Sequence, residues 1–336
     1  MTVKKSVVVI GGGTGTHTIL RGLKHFSHTV DITAIVGMSD SGGSTGRLRD
    51  EFGMLPVGDA RMAMAALADD SGVNELLMRD LFLYRFQNGN GLKGHNLGNL
   101  LLTALSDMLG NEAVAIAAAS QILRLSGTVL PITTDKVHLT ALYDDYVEVE
   151  GEHKIDAPLP DRYGHRIIQL GLRPEATIHP AAMAALSSAD MIIIGPGDLY
   201  SSLLANCVVT GVPQVIKNSR AKFVYVANLM ERLGQTEGMT VSDCVRAIEK
   251  YVGKQPDVVV VNDASLPQNM IERYKKEEGT RPVVDDIEND SKLIVVRTDL
   301  ISHEDNQQPV GDQVRRSLIR HDSDKLAAAV LSVLNS

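Results

Sequence analysis

A glycine-rich turn follows the first strongly apolar run of the chain. Ser6 to Ile10 is typical of a buried strand, Gly11-Gly12-Gly13-Thr14-Gly15 follows it directly, and a helical pattern begins at Thr16. Glycines let the backbone approach a ligand closely, and the N-terminus of the next helix offers free N–H groups to an anion. The turn predicts a phosphate site, with a tight turn without ligand as the alternative. The spacing is not a dinucleotide fingerprint, because Thr16 replaces the third glycine.

A second polar loop, Ser39 to Arg49, follows the predicted strand Asp31 to Gly37. It combines glycines, hydroxyls and basic side chains at the strand's carboxyl end, where ligands bind in open α/β sheets. An arginine suits phosphate or carboxylate oxygens, and an aspartate suits Mg²⁺. The alternative is a mobile surface loop with solvated arginines. The candidate ligand-binding residues of this loop are Asp40, Gly43, Ser44 and Arg47.

Two predicted helix starts carry further candidates. Asp59 precedes an Ala/Met-rich helix and is either an N-cap or a second carboxylate beside Asp40 at a Mg²⁺ site. Asn96 precedes a helix that ends at Gly110. It is a plausible N-cap, but its amide also carries the donor and the acceptor needed to bind a base or a sugar. An apolar stripe runs along that helix, formed by Leu97, Leu101, Leu105 and Met108.

Two later strand ends repeat the pattern of the first turn. Gly195-Pro196-Gly197-Asp198 follows the apolar run Met191 to Ile194, and Asn228 follows Phe223 to Ala227. If these strands are parallel, their carboxyl ends lie at one edge of the sheet. Together the three strand ends predict a crevice for a phosphate-bearing small molecule.

Runs of β-branched residues alternate with helical patterns along the chain. They predict the strands and helices that position these loops. They indicate an α/β fold, with a doubly wound, mainly parallel, Rossmann-like sheet. Further strands are predicted at Val258 to Val261 and Leu293 to Val296. A helical insertion is predicted at about 59–125, and a small strand-rich, antiparallel excursion at about 136–168. No linker divides the chain, so we expect residues 1–336 to form a single domain.

Composition excludes several classes of protein. Of the 336 residues, 44% are hydrophobic, and 41 acidic against 33 basic side chains give a net charge of −8. This balance argues against a nucleic-acid binder with a basic face. Two cysteines cannot form a cysteine-rich zinc site, and no apolar run reaches the roughly 18 residues of a membrane span. The N-terminus lacks the pattern of a signal peptide. We therefore expect a soluble, cytoplasmic protein.

Taken in order, these loops resemble the YvcK-like family of gluconeogenesis factors, which is grouped with the 2-phospho-lactate transferases (CofD). The matching stretches run from residue 3 to about 330: Gly11 to Gly15, Arg21 to Lys24, Gly42 to Arg49, Pro56 to Arg61, Gly94 to Leu102, Gly127 to Pro131, Gly195 to Tyr200, Asn228 to Gly238 and Asp322 to Leu326. The resemblance implies a Rossmann-like protein that binds a uridine diphosphosugar, with UDP-N-acetylglucosamine as the first case. It also implies a role in cell shape and envelope synthesis during gluconeogenic growth, and a homodimer is plausible for this architecture.

The resemblance also implies roles for particular residues. Gly12, Gly13, Thr14 and Gly15 would cradle the diphosphate, and Asn96, Gly197 and Asn228 would line the nucleotide. Asp40 matches the first acid of the family's Asp-Asp-Gly-Gly motif, but Ser41 stands where the second is usual. The missing carboxylate weakens an inherited Mg²⁺ site and favours a binding and regulatory role. The alternative is a Mg²⁺-dependent phosphotransferase, related to 2-phospho-L-lactate transferase, that acts on an unknown acceptor.

Overall fold

A computed structural model of the protein describes residues 4–289, 292–303 and 319–334. Strands and helices alternate along most of these ranges. In chain order the strands are β1 (Lys5–Gly11), β2 (Val30–Val36), β3 (Thr128–Pro131), β4 (His138–Tyr143), β5 (Glu148–Glu150), β6 (Ile167–Arg173), β7 (Met191–Ile194), β8 (Lys222–Val226), β9 (Val258–Asn262) and β10 (Ile294–Thr298). The helices are α1 (Gly13–Lys24), α2 (Gly43–Phe52), α3 (Gly58–Leu67), α4 (Val73–Leu83), α5 (Leu97–Leu109), α6 (Glu112–Ile122), α7 (Glu152–Asp156), α8 (Pro180–Ser188), α9 (Ala205–Cys207), α10 (Val212–Asn218), α11 (Val241–Val252), α12 (Gln268–Glu277) and α13 (Ser323–Ser332). A π-helix, Leu199–Leu204, leads directly into α9.

The main sheet has seven strands in the order β10-β9-β8-β7-β1-β2-β3, and every neighbouring pair is parallel. The chain builds outward from β1 to β3, then returns to the other side of β1 with β7 and continues to β10. This is the strand order of a Rossmann-like sheet, whose ligand crevice lies where the winding reverses. The predicted fold class is confirmed, and the reversal falls between β1 and β7.

Side chains alternate along β1 between two apolar cores, one on each face of the sheet. Val8 and Ile10 pack in a core that includes residues of α10 and α11. Val7 and Val9 point to the opposite face, in a core that includes residues of α1, α3 and α13. A strand buried on both faces reads as a continuous apolar run, which is why Val-Val-Val-Ile predicts β1.

The predicted helical insertion contains α3 to α6, between residues 58 and 122. Helix α5 begins after the N-cap Asn96 and ends at Gly110, as the sequence predicts. Its buried side includes the small or polar residues Gly98, Asn99, Thr103 and Ser106 together with Leu102. Of the predicted apolar stripe, Leu97 and Leu105 are half-buried, while Leu101 and Met108 are exposed. The helix therefore directs apolar side chains away from the core.

The predicted strand-rich excursion is a three-stranded antiparallel sheet, β5-β4-β6, followed in the chain by the return to the main sheet. Tyr143, Ile155, Ile167 and Leu170 of this region are buried in the same core as β1 residues Val8 and Ile10. Among the elements that the sequence pattern does not predict are the short strand β3, the short helix α7, and α2, which covers most of the predicted polar loop Ser39 to Arg49. Within the described ranges, no helix is long and apolar enough to cross a membrane.

Candidate functional site

A cavity of about 470 Å³ lies at the carboxyl ends of the central strands. Residues that follow β1, β2, β7 and β8 all line it. The three strand ends predicted to share one crevice, after β1, β7 and β8, therefore face the same space. The predicted residues that line this cavity are Gly12, Gly13, Thr14, Gly15, Asp40, Asp59, Gly197 and Asn228.

The floor of this main cavity is built from backbone. Helix α1 begins at Gly13, whose own N–H is bonded to Asp59, and its N-cap, Gly12, has no side chain to bind the N–H groups that follow. A methyl group on Gly15 would overlap the backbone carbonyl of Pro196, so α1 and the turn after β7 are in direct contact. Free N–H groups at a helix N-terminus attract anions, because the helix dipole adds a partial positive charge there. The floor can therefore bind a phosphate group.

Asn228 holds the turn after β7 in place. Its Oδ1 accepts a hydrogen bond from the N–H of Gly197 at 3.1 Å, and its Nδ2 donates to the Gly197 carbonyl at 2.7 Å. Gly197 has a φ of +158°, which is extended backbone. Both polar ends of the Asn228 side chain are thus used to fix the wall of the cavity, and the predicted contact between Asn228 and a nucleotide remains a prediction.

Asp59 connects the helical insertion to the glycine-rich turn after β1. Its Oδ1 accepts a hydrogen bond from the N–H of Gly13 at 2.8 Å. The alternative that Asp59 is an N-cap is wrong, since α3 begins at Gly58 after Val57 and Asp59 lies in its first turn. A methyl group on Gly12 would overlap the Asp59 carboxylate. The glycine at position 12 thus makes room for the acid as well as for the turn.

Nine of the described carboxylates line the main cavity, and five of them come from three parts of the chain next to the floor: Asp40 after β2 and Asp59 on α3, Glu152 and Asp156 on α7, and Asp198 after β7. Helix α7 is held over the cavity by the loop after β2. The Ser41 hydroxyl accepts a hydrogen bond from the N–H of His153 at 3.0 Å, and Glu152 accepts one from the N–H of Ser41 at 3.4 Å. At the position where the family's second aspartate is expected, Ser41 therefore brings a different carboxylate, Glu152, to the site.

Proximity and burial raise the pKa of most of these acids. Loss of hydration raises the pKa of Asp59 to about 7, and the neighbouring Asp40 contributes to the rise. The pKa of Asp40 is also raised, mainly by burial. Burial and the charge of Asp40 raise the pKa of Glu152 well above its usual value. Burial raises the pKa of Asp198 to about 7 against the opposing effect of Arg232. A site with several raised carboxylate pKa values attracts cations.

Basic side chains balance part of this charge. Arg232 lies 3.2 Å from Asp156 and 3.8 Å from Asp198, and so bridges two of the acids. Arg61 donates from Nε to Asn99 at 2.9 Å, and its charge lowers the pKa of both Asp40 and Asp59. Arg21 and Arg320 line another part of the main cavity. The site therefore combines an anion-binding floor with a carboxylate-rich wall.

A second cavity of about 190 Å³ shares Asp40 and Asp59 with the main cavity. The predicted residues Gly43 and Ser44, at the start of α2, line it together with Arg61 and Arg85. The Ser44 hydroxyl lies 3.2 Å from Nδ1 of His95 and accepts the N–H of Asn96 at 3.2 Å. The loop after β2 thus contributes Asp40 to both cavities, while Gly43 and Ser44 line only the second one.

Two predicted ligand-binding residues line neither cavity. The Arg47 guanidinium donates to the carbonyl of Lys93 at 3.2 Å. Asn96 is only 1% exposed, caps α5 by accepting the N–H of Asn99, and donates to the Leu83 carbonyl at 2.8 Å. The Asn96 side chain thus caps α5 with its oxygen and ties this helix to the end of α4 with its nitrogen. Roles for these two residues in ligand binding remain predictions.

The structure adds site residues that the sequence analysis does not select: Glu152, Asp156, Asn206, Arg232 and Arg320. A weak signal exists for the first two, because Glu152 and Asp156 are four residues apart and share one face of a helix. No local pattern distinguishes Asn206 or Arg232 from other polar residues. Their role depends on contacts between distant parts of the chain.

The residues present fit the Mg²⁺ ion that the related transferases imply. Mg²⁺ prefers oxygen ligands and is commonly bound by one or two carboxylates together with phosphate oxygens of the ligand. Asp40 and Asp59 are the acids shared by the two cavities, and burial raises the pKa values of both, with the charge of Asp40 adding to the rise at Asp59. A cation here would also remove the repulsion between these acids and a phosphate on the floor.

Fold and site together define a doubly wound α/β protein with a ligand crevice at the reversal point of a parallel sheet. Residues 7–301 match the family described as 2-phospho-L-lactate transferase CofD. The chain belongs to this family and, within it, to the gluconeogenesis factors.

Relatives that match over nearly their whole length support this assignment. The gluconeogenesis factor of Bacillus subtilis is 38% identical over 99% of this chain and 99% of its own length. That of Halalkalibacterium halodurans is 37% identical over 98% of this chain and 96% of its own length. A crystal structure of a UPF0052 family member from Bacillus halodurans has a TM-score of 0.86 and 35% identity, and the match covers 98% of this chain and 100% of that one.

Proposed function

We propose that this protein binds a nucleotide sugar in the cytoplasm, with UDP-N-acetylglucosamine as the first ligand to test. Bound to this envelope precursor, it would regulate cell shape and envelope synthesis during gluconeogenic growth. The observation that carries the proposal is the convergence of the turns after β1, β7 and β8 on one cavity of about 470 Å³. This volume is within the usual range for small-molecule sites. The start of α1 supports a diphosphate there, and the membership in the gluconeogenesis factors supports the regulatory role.

The binding proposal predicts the effect of a side chain at Gly13. Gly13 lines the cavity, and no atom lies within 4 Å of a methyl group built on it, so a side chain there has room. The variant Gly13→Asp places a negative charge where the diphosphate would bind, and we expect it to lower the affinity for UDP-N-acetylglucosamine at least tenfold. Calorimetric titration with this nucleotide sugar, in EDTA and again with Mg²⁺, measures the change.

Gly110→Asp is the matched control for this titration. Gly110 has a φ of +68°, close to the +63° of Gly13, and is equally open, but it lies at the end of α5 outside both cavities. The same strain and charge are therefore introduced away from the site. If wild type produces no heat of binding, or if the two variants bind equally well, the proposal fails.

A Mg²⁺-dependent phosphotransferase acting on an unknown acceptor is the second candidate function. The observation that favours it is the pair Asp40 and Asp59 beside the anion-binding floor. A bound Mg²⁺ would supply charge stabilisation to a transferred phosphoryl group. Asp40 and Asp59 would hold the ion, while the start of α1 would orient the phosphates. If nucleotide sugar is recovered unchanged after long incubation with the protein and Mg²⁺, this second function is not supported.

We further propose that the protein is a homodimer through its apolar outer surface. We use this name for eight of the exposed apolar side chains of α4, α5 and α6: Val73, Leu77, Leu81, Leu101, Met108, Leu109, Val114 and Ile122. Helix α5 packs against both α4 and α6, so these side chains lie on neighbouring helices. Val73 is 83% exposed and Met108 is 77% exposed. Large contiguous apolar patches usually mark interfaces.

The dimer proposal predicts a mass near twice 36.3 kDa in light scattering. The double variant Leu101→Lys/Met108→Lys places two charges on α5, and we expect it to be monomeric because desolvating them in an interface is costly. Leu159→Lys is a suitable control, since Leu159 is 71% exposed but is not part of the apolar outer surface. A monomeric wild type, or a double variant that remains dimeric, contradicts the proposal.

A further inference from the structure

Asn206 presents a buried oxygen atom to the main cavity. The residue lies on α9, is 1% exposed and lines the cavity wall. Its Nδ2 donates to the carbonyl of Ser202 at 2.7 Å, which fixes the orientation of the amide. Its Oδ1 is buried and has no hydrogen-bond partner. Buried polar atoms are nearly always bonded, so this oxygen is suited to a group that the cavity receives.

The free oxygen of Asn206 and one oxygen of Asp59 flank the same point of the backbone. A methyl group built on Gly37 would lie 3.5 Å from Asn206 Oδ1 and 3.5 Å from Asp59 Oδ2. The other oxygen of Asp59 already accepts the N–H of Gly13. Two hydrogen-bond acceptors cannot satisfy each other while Asp59 is ionised. A cation or a hydrogen-bond donor between the two oxygen atoms would satisfy both of them.

A divalent cation fits this arrangement best. Carboxylate and amide oxygens are common ligands of Mg²⁺ and similar ions. In the part of the chain that the structure describes, the acids of this cavity do not form a set of three His, Cys, Asp or Glu side chains with ligand atoms all within 4.8 Å of one another. The Asn206 amide oxygen would supply one further ligand atom beside those of the carboxylates.

We propose that Asn206 Oδ1 is a protein ligand of a divalent cation, together with Asp59 and Asp40. The inference deepens the proposed site and rests on the cation that these two acids would hold. It assigns an oxygen ligand to α9, an element far from both acids in the sequence. Asn206 thereby sets the affinity for the ion.

The test uses Mn²⁺ alone, without nucleotide, on the full chain. Loss of the free Mn²⁺ signal in electron paramagnetic resonance gives the affinity, and line broadening in ¹⁷O-labelled water counts the water ligands of the bound ion. We expect Asn206→Ala to weaken Mn²⁺ binding at least tenfold and to add one water ligand, because water takes the place of Oδ1. Asn206→Asp keeps an oxygen and adds charge, so it should bind Mn²⁺ at least as tightly as wild type. Asn218→Ala removes an exposed amide on α10 and should change neither value.

Each result decides the inference. It is overturned if wild type binds no Mn²⁺, if Asn206→Ala binds as wild type does, or if its affinity falls without a gain of water. Should Asn206→Ala not fold, the Asn206→Asp variant decides: weaker binding than wild type overturns the inference. Titration of wild type with UDP-N-acetylglucosamine in EDTA tests the proposed function separately, so the failure of one proposal can be told from the failure of the other.

Discussion

Replacing Asp59 by asparagine is expected to stabilise the folded protein at neutral pH. Asparagine keeps the Oδ1 that accepts the N–H of Gly13 but removes a charge that is poorly hydrated and close to Asp40. In the folded protein the pKa of Asp59 is raised from 3.8 to about 7 by burial and by that neighbour. A shift of this size corresponds to up to about 4 kcal/mol of destabilisation at pH 8.

The sign of the pH dependence follows from the same shift. Between pH 4 and pH 7 the folded state keeps a proton on Asp59 that the unfolded chain has lost, so the free energy of unfolding falls as the pH rises through this window. Above pH 7 the loss is complete. The advantage of Asp59→Asn should therefore be small near pH 4 and largest at pH 7 and above. Urea unfolding at pH 4, 5.5, 7 and 8 measures it.

Asp31→Asn is the control for these unfolding experiments. Asp31 lies on β2, its side chain is 69% exposed, and it makes a long ion pair with Lys4. We expect its removal to change stability little at any pH, since exposed ion pairs contribute little. If Asp59→Asn is no more stable than wild type at pH 8, the buried charge of Asp59 does not destabilise the folded protein, and the expectation is wrong.

Replacing Gly15 by alanine should have the largest destabilising effect among small substitutions at the site. The added methyl group would overlap the carbonyl oxygen and carbon of Pro196, which are backbone atoms and cannot rotate away. Helix α1 would have to move from the turn after β7, and we expect a loss of roughly 3 kcal/mol, as for severe overpacking. Thermal and urea unfolding should show a lower midpoint, and binding of the nucleotide sugar should be lost with the shape of the floor.

Gly13→Ala separates backbone strain from this steric effect. Gly13 has a φ of +63°, and a methyl group there meets no atom within 4 Å. The substitution should therefore cost only the roughly 1–2 kcal/mol of a left-handed conformation. If Gly15→Ala proves no more harmful than Gly13→Ala, the close approach between α1 and Pro196 does not occur.

Much of the fold follows from patterns that are local in the sequence. β1 and β7 are apolar runs that end in glycine, and a central strand of a parallel sheet requires such a run. α5 has both of its predicted caps, Asn96 and Gly110. β3 is not predicted because it has only four residues and ends in Pro131. It forms because its residues pair with Thr33 to Val36 of β2, which no local pattern reveals.

The candidate site divides in the same way. The glycine-rich turn from Gly12 to Gly15 can be predicted, because a strand, the glycines and a helix are adjacent in the sequence. Asp40 and Asp59 are selected from the sequence, but their contacts are not, since Asp59 bonds Gly13 across 46 residues. Glu152 is not selected at all, because its position depends on a hydrogen bond from Ser41 across 111 residues. Asn96 cannot be assigned from the sequence alone, because an amide before a helix has the same sequence pattern whether it binds a ligand or caps the helix.

The contact between Gly15 and Pro196 has a consequence for how relatives diverge. The surface that would bind a phosphate consists of backbone groups. These groups are the same in any sequence that has glycine at these positions. The side chains that line the rest of the cavity include those of α7 and Arg232, which follows β8. The specificity for the rest of the ligand can therefore differ between relatives while the binding of its phosphate groups stays the same.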